Sequence, residues 1–248
     1  TTTLYAAVSE LDRERLNVVS VEDPVEYALD RVAQTQVNPR IELSFARALR
    51  SILRHDPDVI IVGEIRDRET AEIAIQASLT GHLVLASLHT NTAGAAITRL
   101  TDMGVEPYLI ASSLRGVLAQ RLVRKLCVAC RKVHAVAADE AALLTAHGIG
   151  GAVGLAQLWS ADGCNVCGGS GYRGRMGLYR WLPAGAEVTH AIHNRKADTD
   201  IENIAIDAGW PTLAADAAPA RCKTRSRPTA IFNWWRSAIS GWTGPRTR

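Results

Sequence analysis

The sequence predicts an α/β fold with a mostly parallel β-sheet, a small metal-binding insert and a helical C-terminal part. Strand-like and helix-like segments alternate between residues 16 and 88, and this alternation is typical of βαβ units. The run Val59–Val62 is continuously apolar, as expected for a strand buried on both faces of a parallel sheet. Two C-x-x-C pairs follow in a Gly- and Ala-rich segment, and these predict the insert.

Composition and charge exclude several classes of protein. The chain has 248 residues, of which 47% are hydrophobic and 21% are charged, so it can build a large core and a smaller domain. No apolar run approaches the length of about 18 residues that a membrane-spanning helix needs. Residues 1–216 carry 21 Lys or Arg and 25 Asp or Glu, whereas the segment after Asp216 carries seven Lys or Arg and no acid. The net charge of +3 is therefore no evidence that the folded body binds nucleic acid.

The first elements can be assigned from hydrophobic periodicity. Residues 4–11 have helical spacing, residues 16–21 form a β-branched run that ends in an acidic turn, and residues 44–54 are again helical. The apolar strand Val59–Val62 follows.

The alternation continues through the next segments. Residues 67–78 are predicted to form a helix and residues 82–88 an apolar strand. Helical spacing then extends over residues 93–103 and 108–126, and residues 178–208 are predicted to form one or two helices. Because parallel strands end at one edge of a sheet, the polar residues that follow these strands mark a candidate ligand site.

Three carboxylates stand at predicted strand ends. Glu22 and Glu26 follow one strand, and Glu64 ends another. Such a set suits a magnesium nucleotide, since one carboxylate can hold the metal or its waters while another orients the attacking water. The strand before Glu64 is typical of a Walker B strand, although Gly63 occupies the place of its usual Asp. The alternative interpretation is that these acids are solvated turn residues.

The cysteines predict a structural zinc site. Cys127 and Cys130 form one C-x-x-C pair, and Cys164 and Cys167 form the other. Four thiolates in a tetrahedral array suit Zn²⁺ and leave no open position. A redox pair or unrelated thiols is the alternative. Cys222 stands outside the pattern and is expected to be free, and a reducing cytoplasm fits this cysteine usage best.

Ordered motifs in the chain resemble the secretion ATPase superfamily of type II secretion and type IV pili. Within it the type II secretion ATPases are the nearer branch, because the pilus retraction ATPases lack the four cysteines. The resemblance covers roughly residues 1–211. Its motifs are VEDPVEY (21–27), QTQVNP (34–39), DPDVIIVGEIRD (56–67), TGHLVLASLHTNTA (80–93), AITRLTDMGVEP (96–107) and QRLVRKLC (120–127).

The resemblance implies a RecA-like P-loop NTPase core that is partial in this chain. In the family the string TTTLYA directly follows the phosphate-binding loop, so the first strand and the loop, with its Walker A lysine, are expected upstream. Thr1 then resembles the hydroxyl residue that binds Mg²⁺, and Thr2 lies beside the nucleotide. We accordingly expect this polypeptide alone to bind ATP poorly and not to turn it over.

The resemblance also implies roles for the candidate residues. Glu22 and Glu26 match the acidic box, with Glu26 as the preferred base and Glu22 as a supporting carboxylate, and Glu64 matches the Walker B acid. His82 and His89 match the histidine box, where an imidazole can sense the γ-phosphate. A satisfied core or capping histidine is the alternative for either one.

Three arginines are further candidates for contact with phosphate. Arg50 and Arg54 lie one turn apart on a predicted helix and could act as arginine fingers across a subunit boundary. Arg66 follows the Walker B strand. An ordinary solvated face is the alternative for these side chains.

The family implies a cytoplasmic ATPase that uses ATP, Mg²⁺ and Zn²⁺. It would act as a homohexamer that platform proteins hold at the inner membrane, so that its association with the membrane is peripheral. Its ATP hydrolysis would drive pseudopilus assembly for protein export. The alternatives are a type IV pilus assembly ATPase and an inactive, zinc-stabilised interaction module. Few aromatic residues interleave with the basic residues around the cysteines, so no nucleic-acid partner is expected.

The predicted domain organisation follows from these assignments. Residues 1–126 form the ATPase core, 127–177 the zinc subdomain and 178–215 the helical part. Residues 216–248 form a basic, Trp-rich tail that departs from the family pattern. A change of reading frame near position 216 is favoured over a basic membrane anchor as its origin.

Overall fold

The computed structural model describes residues 1–146 and 157–216. Within these ranges the chain divides into two compact units. Residues 1–117 and 183–205 form the first, here called the sheet unit, and residues 118–182 and 206–216 form the second, the cysteine unit. The predictions for Cys222 and for the tail beyond Asp216 lie outside the described residues.

Four parallel strands form the sheet, in the spatial order β2-β1-β3-β4. In chain order they are β1 (Val18–Glu22), β2 (Val32–Gln36), β3 (Val59–Val62) and β4 (Leu83–Ala86). All residues of β1 and β3 are buried, which agrees with the apolar runs read from the sequence. The edge strand β2 was not predicted, because its residues VAQTQ include only two apolar ones and none of them is fully buried.

Helices enclose the sheet and begin where the sequence supplies caps. The side chains of Ser44, Asp67 and Thr92 each accept a hydrogen bond from the backbone N–H three residues later, at 3.2, 2.8 and 3.1 Å. The helices of this part are α1 (Thr2–Ser9), α2 (Phe45–Ile52), α3 (Arg68–Leu79), α4 (Ala93–Asp102) and α5 (Pro107–Ser113).

The helix α1 covers one face of the sheet. Its apolar side chains form a buried cluster with side chains from β1, β3 and β4. Burial of this kind supplies most of the free energy that holds a helix on a sheet. The cluster consists of Ala7, Val8, Leu11, Val18, Val59, Ile61 and Leu83.

In its described residues the cysteine unit contains two small two-stranded sheets. In one, β5 (Gly116–Leu126) pairs with β8 (Tyr172–Pro183). In the other, β6 (Lys132–Ala135) is antiparallel to β7 (Gln157–Ser160), and α6 (Ala138–Ala146) lies between them in the sequence.

The prediction of a helix over residues 108–126 is wrong beyond Ser113. The segment Gly116–Leu126 is a strand, because it pairs with a segment far along the chain. Such long-range pairing leaves no mark on local periodicity. The helical region predicted from residue 178 likewise begins only after β8, with α7 (Ala186–His193), α8 (Asp198–Asp207) and α9 (Leu213–Asp216).

The described helices are short, and the longest of them, α3, has 12 residues. In residues 1–146 and 157–216, none is both long and apolar enough to cross a membrane.

Candidate functional site

The carboxyl edge of the sheet brings three of the predicted site residues together. Glu22 is the last residue of β1, Glu64 follows β3 and His89 follows β4. Because the strands are parallel, these positions share one edge, which is where α/β proteins bind ligands.

Glu22 is buried and held by three hydrogen-bond donors. Its carboxylate is 3% exposed and accepts from the hydroxyl of Tyr5 on α1. It also accepts from the hydroxyl of Ser20 at 2.6 Å and from the Nε2 amide of Gln34 on β2 at 3.1 Å. Three donors satisfy most of the accepting capacity of a carboxylate, so Glu22 is locked in place between α1, β1 and β2.

Tyr5 connects the start of α1 to this edge. Its burial, together with the hydrogen bond to Glu22 and the charge of Glu22, raises the pKa of Tyr5 to about 12. Tyr5 lies one helical turn after Thr1, and its backbone N–H donates to the Thr1 carbonyl at 2.9 Å. The exposed residues Thr1 and Thr2 thus begin the helix whose Tyr5 side chain reaches the carboxyl end of β1.

Glu26 has the opposite environment. It lies four residues beyond Glu22, after the cis peptide bond between Asp23 and Pro24, and its side chain is exposed. In the acidic box, the carboxylate of Glu22 is thus fixed and buried, whereas that of Glu26 is accessible to solvent.

Glu64 is the centre of an ion-pair cluster. It is 8% exposed, contacts the Arg66 guanidinium, and its Oε2 lies 2.9 Å from His89 Nε2. Burial raises the pKa of Glu64, but the hydrogen bonds and charges of Arg66 and His89 outweigh it and hold this pKa below its ordinary value. The hydrogen bond with Glu64 raises the pKa of Arg66. Arg66 also lies 3.6 Å from Asp23, so the cluster joins the segments that follow β1, β3 and β4.

The other candidates lie away from this edge. His82 precedes β4, at the amino end of the sheet, and its Nδ1 lies 2.8 Å from the Ala77 carbonyl. These contacts support the alternative interpretation of His82 as a satisfied histidine. Arg50 pairs with Glu69 of α3 at 2.6 Å, and Arg54 is exposed in a turn that precedes β3.

Sequence reasoning missed the partners that fix the carboxylates. The sequence placed Tyr5 in a helix and Ser20 in a strand but gave neither a role at the site, and it placed Asp23 in a turn. Gln34 belongs to the motif QTQVNP, which supported the resemblance but was given no role. Their positions around Glu22 and Arg66 depend on the pairing of β1 with β2 and β3, which local sequence does not reveal.

The four cysteines form a second site, in the cysteine unit. Their sulfurs lie within 4.8 Å of one another. The separations are 4.0 Å for Cys127 and Cys164, and 3.8 Å for Cys167 from both Cys130 and Cys164. Zn–S bonds of about 2.3 Å in a tetrahedron give sulfur–sulfur edges of about 3.8 Å, whereas a disulfide needs about 2.05 Å. The cage therefore fits one Zn²⁺.

Backbone groups support the cage. The N–H groups of Cys164 and Gly171 each donate to Cys167 Sγ at 3.2 Å. Burial raises the pKa of the Cys167 thiol, but these N–H groups and the neighbouring sulfurs lower it to about 6. A Cβ on Gly163, where φ is +132°, would lie 2.7 Å from the Gly169 carbonyl oxygen, so this turn requires glycine. Burial and the hydrogen bonds with the other three sulfurs raise the pKa of the Cys130 thiol to about 12, so the thiolate form, which binds metal, is favoured at Cys167 and the thiol form at Cys130.

Comparison with known proteins decides the family. The sequence pattern of the type II/IV secretion system proteins matches residues 1–228. The chain belongs to this family. The match extends past residue 211, where the resemblance traced from the motifs ended.

Three secretion proteins show the strength of the relationship. The chain is 56% identical over 192 residues to type II secretion system protein E of Klebsiella pneumoniae, which covers 77% of this chain and 37% of that protein. It is 51% identical over 216 residues to HxcR of Pseudomonas aeruginosa, covering 87% and 42%. It is 49% identical over 215 residues to the type II secretion system ATPase E of Vibrio cholerae, again covering 87% and 42%. The chain thus spans about two fifths of the length of these relatives.

Two solved structures share the fold. The pilus retraction motor PilT, solved with bound ADP, matches 88% of this chain and 55% of its own, with 27% identity and a TM-score of 0.51. The ATPase DotB of Legionella pneumophila matches 96% and 55%, with 20% identity and a TM-score of 0.58. The predicted α/β P-loop ATPase fold is confirmed for this secretion-family chain, and its four cysteines lie close enough together to hold a metal ion.

Proposed function

We propose that the protein containing this chain is an ATPase that powers type II protein secretion. The observation that carries the proposal is the edge of the sheet where Glu64 contacts Arg66 and His89 and where Glu22 is locked by three donors. Its relatives include a type II secretion system ATPase, and the related motor PilT was solved with ADP.

The residues at this edge fit a magnesium nucleotide. Thr1 and Thr2 offer exposed hydroxyls at the start of α1, where helix N–H groups favour phosphate oxygens. Thr1 would hold Mg²⁺, and the exposed carboxylates of Asp23 and Glu26 lie near enough in sequence to Glu22 to contribute. When bound, Mg²⁺ neutralises charge on the phosphates.

The acidic-box carboxylates divide the work in this scheme. Glu26 is exposed, so it can orient a water for in-line attack on the γ-phosphate and accept its proton. Glu22 cannot turn toward a water without losing its three donors, and it instead fixes α1 against β1 and β2.

The contact between Glu64 and His89 is proposed to change when the nucleotide binds. His89 is 86% exposed and reaches Glu64 through one hydrogen bond, so its ring can turn from that carboxylate to a γ-phosphate oxygen. Arg66 keeps Glu64 charged through this exchange. The switch would couple hydrolysis to the segment after β4 and so to domain rotation.

Arg50 and Arg54 are proposed to contact phosphate from a neighbouring subunit. Arg50 would first have to leave Glu69, and both side chains in that pair are 55% exposed, so little free energy opposes the exchange. This role requires the homohexamer that we propose for the complete protein, located in the cytoplasm and held at the inner membrane by platform proteins. The mechanical work obtained from ATP hydrolysis would drive pseudopilus assembly.

The proposal is tested by ATP hydrolysis in the complete protein. Glu26→Gln and Glu64→Gln should each lower the rate at least about a hundredfold, because general base and charge stabilisation are lost. The matched control is Glu42→Gln, whose carboxylate is 91% exposed, and its rate should be unchanged. Full activity in Glu26→Gln would contradict the assignment of the base.

Two further measurements separate the alternatives. An absence of hydrolysis in the complete wild-type protein would support an inactive, zinc-stabilised interaction module. Restored export in a strain that lacks its type II secretion ATPase would favour type II secretion over pilus assembly. The 248-residue chain alone is expected to show no turnover above its Glu64→Gln variant.

A further inference from the structure

We propose that the metal end of the cysteine unit binds the surface of an anionic lipid bilayer directly. Each C-x-x-C turn presents one valine to solvent: Val128 is 79% exposed and Val166 is 55% exposed. Both turns converge on one cage, since Cys127 Sγ and Cys164 Sγ are 4.0 Å apart. The two side chains, here called the aliphatic tips, therefore lie beside the four-cysteine cage, which is the metal end of the cysteine unit. Neither tip contributes to a core.

A dense positive charge accompanies these tips. Residues 116–135 and 157–183 contain eight Lys or Arg and a single acid, Asp162, which pairs with Lys132 at 2.9 Å. The sheet unit has the opposite balance, with 13 Lys or Arg and 20 Asp or Glu in residues 1–117 and 183–205. The described residues of the cysteine unit also include Asp139, Glu140, Asp207 and Asp216, so the unit carries eight positive and five negative side chains, a net +3, or +1 with the net −2 of a tetrathiolate zinc. Its positive charge is concentrated in the segments that flank the four cysteines. Its exposed basic residues are Arg121, Arg124, Lys125, Arg131, Lys132, Arg173 and Arg175.

Aromatic rings complete the surface. The Arg131 guanidinium lies 4.3 Å from the ring centroid of Trp159, which is 41% exposed, and that of Arg124 lies 4.0 Å from the ring of Tyr172. Aliphatic, aromatic and cationic groups in this combination are typical of proteins that lie at the level of lipid headgroups.

The same features disfavour other anionic partners. Single-stranded nucleic acid needs open aromatic faces on which bases stack, and here an arginine already covers one face of each ring. Aliphatic tips gain nothing from a phosphodiester backbone, whereas they gain from contact with acyl chains. Several cations with only two short apolar side chains predict binding that is reversible and sensitive to salt.

This inference goes beyond the proposed attachment through platform proteins and does not depend on ATP hydrolysis. It is tested by sedimentation of the zinc-loaded 248-residue chain, without nucleotide, with vesicles of phosphatidylcholine alone or mixed with phosphatidylglycerol. We expect binding to the mixed vesicles only. The double variant Val128→Asp/Val166→Asp should bind at least about tenfold more weakly, because it removes the apolar contacts and adds negative charge at the headgroups.

Matched variants control for the rest of the molecule. Ile41→Asp changes a residue that is 64% exposed in the sheet unit and should bind as the wild type does. The basic tail is present in every variant. A difference in vesicle binding between the double variant and the wild type is therefore caused by the substitutions at the aliphatic tips. Zinc content near that of the wild type verifies that the double variant is folded, and Lys125→Glu offers a second test by charge reversal, with weaker binding expected.

Three outcomes would overturn the proposal. They are equal binding of the double variant and the wild type, equal binding to vesicles with and without phosphatidylglycerol, and the absence of vesicle binding by the wild type. Tighter binding to an oligonucleotide than to the vesicles, unchanged in the double variant, would assign the basic surface to nucleic acid instead.

Discussion

Glu22 and Glu26 lie in one short motif, yet their physical environments are opposite. Glu22 accepts hydrogen bonds from Tyr5, Ser20 and Gln34, while the Glu26 side chain is exposed. A buried carboxylate is tolerated only when donors replace the water that it loses. The network around Glu22 is therefore a requirement of the fold, and it leaves Glu26 as the carboxylate that can meet a water.

The Tyr5 hydroxyl should contribute measurably to stability. Tyr5→Phe removes one donor from a buried carboxylate, so the free energy of unfolding should fall by about 1–3 kcal/mol at neutral pH. Because folding raises the pKa of Tyr5 from its ordinary 10.0 to about 12, this contribution is complete below pH 10 and is lost as pH rises through 12. Urea unfolding of the two proteins should therefore differ at pH 7 and converge near pH 12.

Tyr108→Phe is the matched control, because Tyr108 is 54% exposed. Its unfolding midpoint should equal that of the wild type. The same midpoint for Tyr5→Phe at pH 7 would show that the hydroxyl of Tyr5 contributes nothing.

The cluster around Glu64 should set resistance to acid. Folding lowers the pKa of Glu64 below its ordinary 4.5, so its contribution is present above that value and is lost as pH falls through the folded pKa. Arg66→Gln removes one cause of the lowering, so the variant should be less stable than the wild type at neutral pH and should lose less stability as the pH falls, and the two profiles should converge in acid. The measurement is thermal unfolding by circular dichroism between neutral and acid pH.

A substitution elsewhere in the sheet unit is the control for thermal unfolding at acid pH. Arg47 lies 3.8 Å from Glu42, and both side chains are well exposed, so Arg47→Gln should leave the acid profile unchanged. Coincident profiles for wild type and Arg66→Gln would refute the role assigned to the cluster.

At the scale of elements, the close approach of β1 and β3 explains an unusual residue. A Cβ on Gly63 would lie 3.1 Å from the Val21 carbonyl oxygen and 3.2 Å from Glu22 Cα, and both of these are backbone atoms that cannot turn aside. The Gly63 N–H also donates to that carbonyl at 2.8 Å. Any side chain here, including the usual Walker B Asp, would require the two strand ends to shift by a few tenths of an ångström, and this favours glycine.

This packing predicts the effect of filling the position. Gly63→Ala should lower the free energy of unfolding by about 1–3 kcal/mol, because the strand ends must separate. Gly185→Ser is a suitable comparison, since no atom lies within 4 Å of its Cβ position and serine suits the start of α7. It should be neutral or slightly stabilising in denaturant unfolding, and a neutral Gly63→Ala would disprove the close approach.

Elements differed in how far the sequence could predict them. The strand β3 and the helix α2 carry their own signals, a continuous apolar run and a capped amphipathic period. The strands β2 and β5 carry none, because each is defined by a partner elsewhere in the chain. For the same reason Glu22 and Glu64 could be predicted to lie at this edge from strand ends, and His89 from the family's histidine box, while Tyr5 and Gln34 could not.

At the scale of the whole molecule, the two units rely on different sources of stability. The sheet unit buries complete strands, β1 and β3. The described residues 118–146 and 157–182 of the cysteine unit bury few apolar side chains, namely Cys127, Leu178, Trp181 and Leu182. A core this small offsets little of the conformational entropy of ordering the segment, so we infer that a metal held by the four cysteines supplies the difference.

Removal of zinc should therefore unfold the cysteine unit while the sheet unit stays folded. Elemental analysis should find about one zinc per chain. After treatment with a chelator, hydrogen exchange followed by mass spectrometry should show lost protection in residues 118–135 and 157–182, and retained protection in β1 and β3. Cys164→Ser should reproduce the effect because it breaks the cage, whereas Cys222→Ser, outside both C-x-x-C pairs, should not. A chain that holds no zinc, with all five thiols titrating freely, would show that the cage is not a metal centre.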